Sequence, residues 1–332
     1  MNSKQVNVNI LDEMEVQIIL IKSDLGASRR GAALGPDAIR KAASDKGSVM
    51  FRQFPVQVLQ ATTNAAGIGE SEGWGKHLEQ IATICEHLTG VVYKESSQNS
   101  FLLLLSGDHS MAAGTLAGIK KRYPEEPIGV VWIDAHADLH SPYTSPSGNL
   151  HGMPLAAALG LDSLHLQRNQ PDEHTKQQWE RFKQLGGISP KFKPENLVYV
   201  GLRQTEQEED SLIDELKIPV FTIAEVRAKG IAQVAASILE QLKDCKHLVV
   251  SFDVDSLDPT VSKATGTPVA DGLTQEEALE LLRILCADKR TRCLEIVEIN
   301  PELEQGNKMG EIGFEIVNNI LDIKTHQASH AD

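Results

Sequence analysis

The sequence predicts an α/β fold, a single three-layer α/β/α domain around a parallel sheet of about eight strands. Two observations carry the prediction. Short apolar runs recur along the chain as continuous rather than alternating stretches, which strands buried on both faces require. Between them lie segments with apolar residues at helical spacing, and strand alternating with helix calls for a parallel sheet covered on both faces.

In chain order, the expected strands are residues 16–21, 56–60, 101–105, 128–133, 197–200, 220–222, 247–252 and 293–299. The first expected helix, 36–43, begins with Pro36, whose missing N–H costs nothing in a first helical turn. Segments 74–88, 110–122, 230–242 and 274–287 follow, and Thr274 with Glu277 matches a capping box. The polar stretch 167–195 reads as an excursion from the sheet, with an amphipathic helix around 173–185. No fixed-period repeat or low-complexity linker divides the chain. Residues 1–325 therefore read as one domain, and 326–332, small and polar, as a disordered tail.

Composition narrows the function. A chain of 332 residues buries roughly three quarters of its unfolded surface, so the core needs no staples. Hydrophobic content of 41% and charged content of 23% are those of an ordinary globular protein. The net charge of −14 argues against a nucleic-acid partner, whose phosphates demand a basic surface. Cys85, Cys245, Cys286 and Cys293 form no Cys-x-x-Cys pair. A bridge between Cys286 and Cys293 is conceivable, but free thiols in a reducing compartment fit the pattern better. Residues 1–15 are polar and acidic, unlike a signal peptide. No apolar run approaches the ~20 residues that span a bilayer. A cytoplasmic protein without a membrane partner is expected.

Three of the expected strands end in ionisable groups. Gly107-Asp108-His109-Ser110 follows 101–105, Asp134-Ala135-His136-Ala137-Asp138 follows 128–133, and Asp253-Val254-Asp255 follows 247–252. Ligands bind outside the carboxyl ends of the strands in an open parallel sheet, so these residues can meet. His109, Asp134, His136, Asp138, Asp253 and Asp255 supply two imidazoles and four carboxylates, with no thiolate. That set exceeds one tetrahedral zinc and suits two divalent ions sharing carboxylates, Mn²⁺ first among them. Alternation places Asp134, His136 and Asp138 on one face if the strand stays extended. Asp258, ahead of Pro259, reads as a turn residue.

Two further features belong to such a site. Ser147-Gly148-Asn149-Leu150-His151-Gly152 suits a loop whose backbone approaches a ligand. His151 is either a loop histidine or a proton-transfer group working near neutral pH. Glu298, which interrupts an apolar run, is either half of a buried salt bridge or the partner of a cationic substrate group.

With these motifs, from about Gly26 to Pro301 and including Arg30-Gly31 and Gly35-Pro36, the chain resembles the ureohydrolase family. That family includes arginase, agmatinase and formimidoylglutamase. The contexts around Ser147-Gly148-Asn149 and Glu298-Ile299-Asn300-Pro301 resemble bacterial arginases most. The resemblance implies an arginase-like fold, two Mn²⁺ per subunit and a homo-oligomer, trimer or hexamer. It implies His109, Asp134, Asp138 and Asp253 on one ion and Asp134, His136, Asp253 and Asp255 on the other, with Asp134 and Asp253 bridging. It further implies that Glu298 receives the guanidinium, that His151 and Asp138 relay protons, that Ser147 and Asn149 read the α-carboxylate, and that Thr267 lies near the guanidinium.

The chain departs from the arginase pattern where an amino-acid substrate is read. His140 replaces an asparagine, and Gln204 and Glu206 replace aspartates that face the α-amino group. The expected reaction is hydrolysis of L-arginine to L-ornithine and urea by a hydroxide bridging two manganese ions. The sister reactions on 4-guanidinobutyrate, agmatine or formimidoylglutamate are the alternative. A non-catalytic metal-binding protein would show a lost ligand or shuttle, and none is lost.

Overall fold

The structure, a computed structural model, describes residues 14–60 and 73–326. The reading of residues 1–13 as an N-terminus without a signal peptide, and that of the tail from 327, lie outside the described residues. Among the described residues eight strands form one sheet: β1 (Glu15–Lys22), β2 (Val56–Gln60), β3 (Ser100–Ser106), β4 (Ile128–Ile133), β5 (Leu197–Val200), β6 (Val220–Phe221), β7 (His247–Asp253) and β8 (Thr291–Val297). Their order is β2-β1-β3-β8-β7-β4-β5-β6, and every pairing is parallel.

The continuous apolar runs explain the layers. On β1, Ile18 and Leu20 enter one core while Ile19 and Ile21 enter the other, and β3 divides Leu103 and Leu105 from Leu102 and Leu104 likewise. The face bearing Ile18 is covered by α1 (Gly35–Asp45) and α2 (Met50–Gln53). The face bearing Ile19 is covered by α3 (Leu78–Glu95), α4 (Ala112–Arg122), α5 (Pro154–Leu159), α6 (Glu173–Lys183) and α7 (Gln207–Leu216). Returning to the first face are α8 (Ile223–Lys229), α9 (Ile231–Gln241), α10 (Gln275–Ala287) and α11 (Lys308–His326). The three-layer α/β/α arrangement is the one the sequence predicts.

Topology locates the site. β3 and β4 are consecutive in the chain, yet β8 and β7 lie between them. Registers pairing Leu105 with Ile296, Asp253 with Val297 and Ile133 with Phe252 align the carboxyl ends of all four strands. A reversal of strand order of this kind opens a crevice at those ends.

Several boundaries differ from expectation for local reasons. The helix expected at 74–88 begins at Leu78, because His77 is left-handed, and runs on to Glu95. The segment 110–122 is broken: Asp108 caps a short 3₁₀ turn, His109–Met111, before α4. β8 starts at Thr291 and stops at Val297, since Glu298 takes φ 66°. The helix α11 went unforeseen although Met309, Ile312, Ile316, Val317 and Ile320 keep helical spacing, and it carries His326, which the sequence reading assigned to the tail. Thr274 forms the expected capping box with Glu277. All four cysteines are free and buried, Cys286 and Cys293 included. Among the described residues no helix is long and apolar enough to cross a membrane.

Lys324 at the end of α11 is fully buried, donating to Thr291 O at 3.0 Å with its ammonium 4.7 Å from the Phe101 ring centre. Burial lowers its pKa to about 8. The folded state then binds fewer protons than the unfolded one between pH 8 and the ordinary lysine value, so this group makes stability rise with pH in that window. Denaturant unfolding from pH 7.5 to 10 should show the rise, and Lys324→Met should flatten it. An unchanged slope in the variant would refute this reading.

Candidate metal centre

Each candidate ligand is delivered by the backbone turn that ends its strand. After β3, Gly107 passes so close to β1 that an added Cβ would lie 1.9 Å from Ser23 O, so glycine is required there. Asp108 then accepts the Ser110 N–H at 2.9 Å and starts the turn carrying His109. The His109 ring stacks on Trp132 of β4, with centroids 3.9 Å apart and planes within 5°. Its Nε2 lies 2.8 Å from Ser251 Oγ on β7, which leaves Nδ1 to face the crevice.

After β4 the chain leaves the sheet. Residues 134–136 form bends, and Asp138 is left-handed at φ 50°. Asp134, His136 and Asp138 therefore do not share one face of an extended strand, contrary to the expectation; they converge through loop geometry. Asp253 closes β7, and its Oδ1 accepts the Asp255 N–H at 2.7 Å to form a 3₁₀ turn.

The six side chains form two adjoining groups. His109 Nδ1 lies 3.0 Å from Asp134 Oδ2, 3.0 Å from Asp138 Oδ2 and 3.3 Å from Asp253 Oδ2. His136 Nδ1 lies 3.6 Å from Asp134 Oδ1 and 2.9 Å from Asp255 Oδ2. Asp134 belongs to both groups, one oxygen in each. Buried His109 Nδ1 and Asp134 Oδ2 have no hydrogen-bond partner despite their closeness. Buried polar atoms left without partners need one, and a shared cation would supply it.

Electrostatics make the same point. Even with both imidazoles charged, four carboxylates leave the cluster anionic. Burial, then Asp134 beside it, raises Asp138 to about 6, and burial with the neighbouring carboxylates raises Asp253 and Asp255. Burial opposes charge on His136, but Asp255 and Asp134 outweigh it and lift the imidazole to about 12. Burial and mutual repulsion thus make proton binding to these carboxylates easier, and a cation would relieve the same repulsion. The donor set fits two divalent ions.

Above the cluster opens a cavity of about 210 Å³, walled by His136, Asp138, His140, Ser147, Asn149, His151, Gln204, Glu206 and Thr267 among others. Thr267 Oγ1 donates to Asp255 Oδ2 at 3.0 Å. His140 is buried between Thr144 Oγ1 and Glu206 Oε2, each 3.1 Å from a ring nitrogen. Glu298 does not line the cavity. Its Oε1 accepts the His109 N–H at 3.0 Å and lies 3.2 Å from His151 Nδ1, so the imidazole stands between it and the opening. Burial disfavours charge on His151, yet the Glu298 hydrogen bond prevails and raises it to about 9.

Some participants escaped the sequence reading. Arg203 donates to Gly201 O, Asp255 O, Val269 O and Ala270 O, fastening three loops around the ligands. Gly26 accepts the His151 N–H at 3.1 Å and donates to Asp108 Oδ2 at 2.9 Å, tying His151 to the turn of His109. Asp108 sits inside a motif already marked, and Arg203 directly precedes Gln204. Ser251 and Trp132 look like ordinary strand residues, and only the sheet order reveals that they hold a ligand.

The comparisons accord with this geometry. The sequence model of the Arginase family matches residues 14–322. An arginase of Bacillus subtilis (strain 168) is 35% identical over 314 residues, covering 93% of this chain and 98% of its own. An arginase of Bacillus caldovelox is 35% identical over 319 residues, with the same coverages of 93% and 98%. A crystal structure of Entamoeba histolytica arginase in complex with L-ornithine superposes with a TM-score of 0.80 at 28% identity, covering 93% of this chain and 99% of that one. With a matching family model over nearly its whole length and a cluster of candidate metal ligands at the sheet's switch point, the chain belongs to the arginase family, whose members are hydrolases acting on guanidino and amidine bonds.

Proposed function

We propose that this enzyme hydrolyses the guanidinium group of L-arginine to L-ornithine and urea with two Mn²⁺ bound. The observation that carries the reading is the pair of ligand groups sharing Asp134 beneath a cavity walled by Ser147, Asn149, His140 and Glu206. His109, Asp134, Asp138 and Asp253 would hold one ion, and Asp134, His136, Asp253 and Asp255 the other. Mixed imidazole and carboxylate donors favour manganese. Two such ions, when bound, supply Lewis acidity and a water of lowered pKa.

The chain's own groups do the rest. Ser147 and Asn149 hold the substrate's α-carboxylate, and Glu206 faces its ammonium. Glu298 meets the planar guanidinium, for which the His151 ring must release Oε1. Thr267 keeps Asp255 in place beside it. His151, which pairs with Glu298 and is protonated at neutral pH before substrate enters, carries that proton to the departing amine, and Asp138 relays protons between the attacking water and that imidazole. A cytoplasmic location and a homo-oligomer, trimer or hexamer, complete the reading; light scattering tests the latter.

A second reading rests on a specific contact. His140 already occupies Glu206, and Gln204 lacks a charge, so the ammonium side of the cavity is weakened. That favours the alternative of 4-guanidinobutyrate. Agmatine and formimidoylglutamate are the remaining alternatives. Urea release from arginine, agmatine and 4-guanidinobutyrate, and ammonia or formamide release from formimidoylglutamate, decide among them. Exhaustive chelation should abolish the activity, and Mn²⁺ should restore it better than Mg²⁺. Full activity in metal-free protein would contradict the assignment.

A further inference from the structure

The loop that reads the far end of the substrate is braced by a segment to which no role has been given. Lys76 Nζ donates to Asn149 Oδ1 at 3.2 Å. The contact is fixed from both sides. The Lys76 N–H donates to Gly148 O at 2.9 Å. Gly148, at φ 74°, runs so close to this segment that an added Cβ would lie 2.2 Å from Gly73 O. On the other side the Asn149 N–H donates to Ser147 Oγ at 3.2 Å.

An ammonium has donors only, so it selects which end of the Asn149 amide it meets. With the oxygen committed to Lys76, the amide has two N–H donors left to offer the cavity that Asn149 lines. Donors beside a lysine charge recognise an anion and repel an ammonium. Elsewhere on the cavity wall, Glu206 Oε2 lies 3.1 Å from His140 Nε2 and Gln204 carries no charge, so that part of the wall is not organised around a cation.

We infer that Lys76 is a specificity-determining positioning residue: through Asn149 it selects guanidino substrates whose far end carries a carboxylate. The inference deepens the reading of the site given above, on which it rests.

Arginine and agmatine differ only by the carboxylate, as do ornithine and putrescine, which makes them matched probes. In the Mn²⁺-loaded enzyme, Lys76→Met should raise KM for arginine about tenfold, the scale of one charged hydrogen bond, with a smaller change in kcat. KM for agmatine should move by less than twofold. Lys76→Arg should recover most of the loss, because it restores the donor and the charge. Calorimetry should show the same contrast for ornithine against putrescine. Equal losses for both members of a pair would indicate mere support of the loop and overturn the inference, as would no change for either. Wild type that binds putrescine as tightly as ornithine would overturn it too. If no guanidino compound yields urea while Lys76→Met still weakens ornithine alone, the hydrolytic reading fails and the role of Lys76 stands.

Discussion

Asp134→Asn should empty both metal positions at once. Its two oxygens serve separate groups, Oδ2 beside His109 and Oδ1 beside His136. The amide keeps the volume but removes the charge and one acceptor, so neither group retains its ligand count. We expect well under one Mn²⁺ per chain after dialysis and a fall in kcat/KM of at least roughly 10²–10³-fold, the scale of a lost electrostatic stabiliser. Asp255→Asn touches the His136 group alone and should leave the other ion in place. If Asp253 also bridges, Asp253→Asn should be more damaging than Asp255→Asn. Metal analysis of the three variants checks the order. Two ions retained by Asp134→Asn would remove the shared-ligand assignment.

The second large effect should come from His151, and it should leave metal content untouched. Its Nδ1 pairs with Glu298, and that contact, against the cost of burial, sets its pKa at about 9. The acid form is therefore present below that pH and lost above it. His151→Asn should lower kcat by roughly 10²–10⁴-fold, the usual contribution of a general acid. The decline of wild-type kcat/KM above pH 9, which reports the free enzyme, should vanish in the variant. Glu298→Gln should move that decline to lower pH, because it removes the group holding the proton on. A variant with normal kcat, or an unshifted decline, would take His151 out of the proton path.

How much of this was legible in the residues depends on what kind of order each feature expresses. The strands were readable because burial on both faces leaves continuous runs such as those of β3 and β4, and the convergence of the candidate ligands was readable because each lies at the end of such a run. What could not be read was the path of the turn itself. Alternation placed Asp134, His136 and Asp138 on one face, whereas bends and a left-handed Asp138 bring them together. Glu298 was expected to face substrate, yet the fold sets His151 before it, a relation between residues far apart in the chain. Lys76 carries no local mark at all. Its significance comes from lying against Gly148 and Asn149, and sequence spacing says nothing of that.

The order of the strands also constrains how the protein is made. Ribosomes deliver β3, β4, His109, Asp134, His136 and Asp138 first, while the two strands that separate β3 from β4 come last. At 5–20 residues per second, on the order of ten seconds pass between Asp138 and Asp253 leaving the peptidyl-transferase centre. Once β5 and β6 have followed, the strands made by then correspond to two half-sheets with unpaired inner edges, and the ligand set still lacks both later aspartates. Premature pairing of β3 with β4 would satisfy those edges and shut β7 and β8 out. A slot must therefore stay open until the C-terminal third arrives, which makes late synthesis the stage at which this chain is most exposed to misassembly and to capture by chaperones.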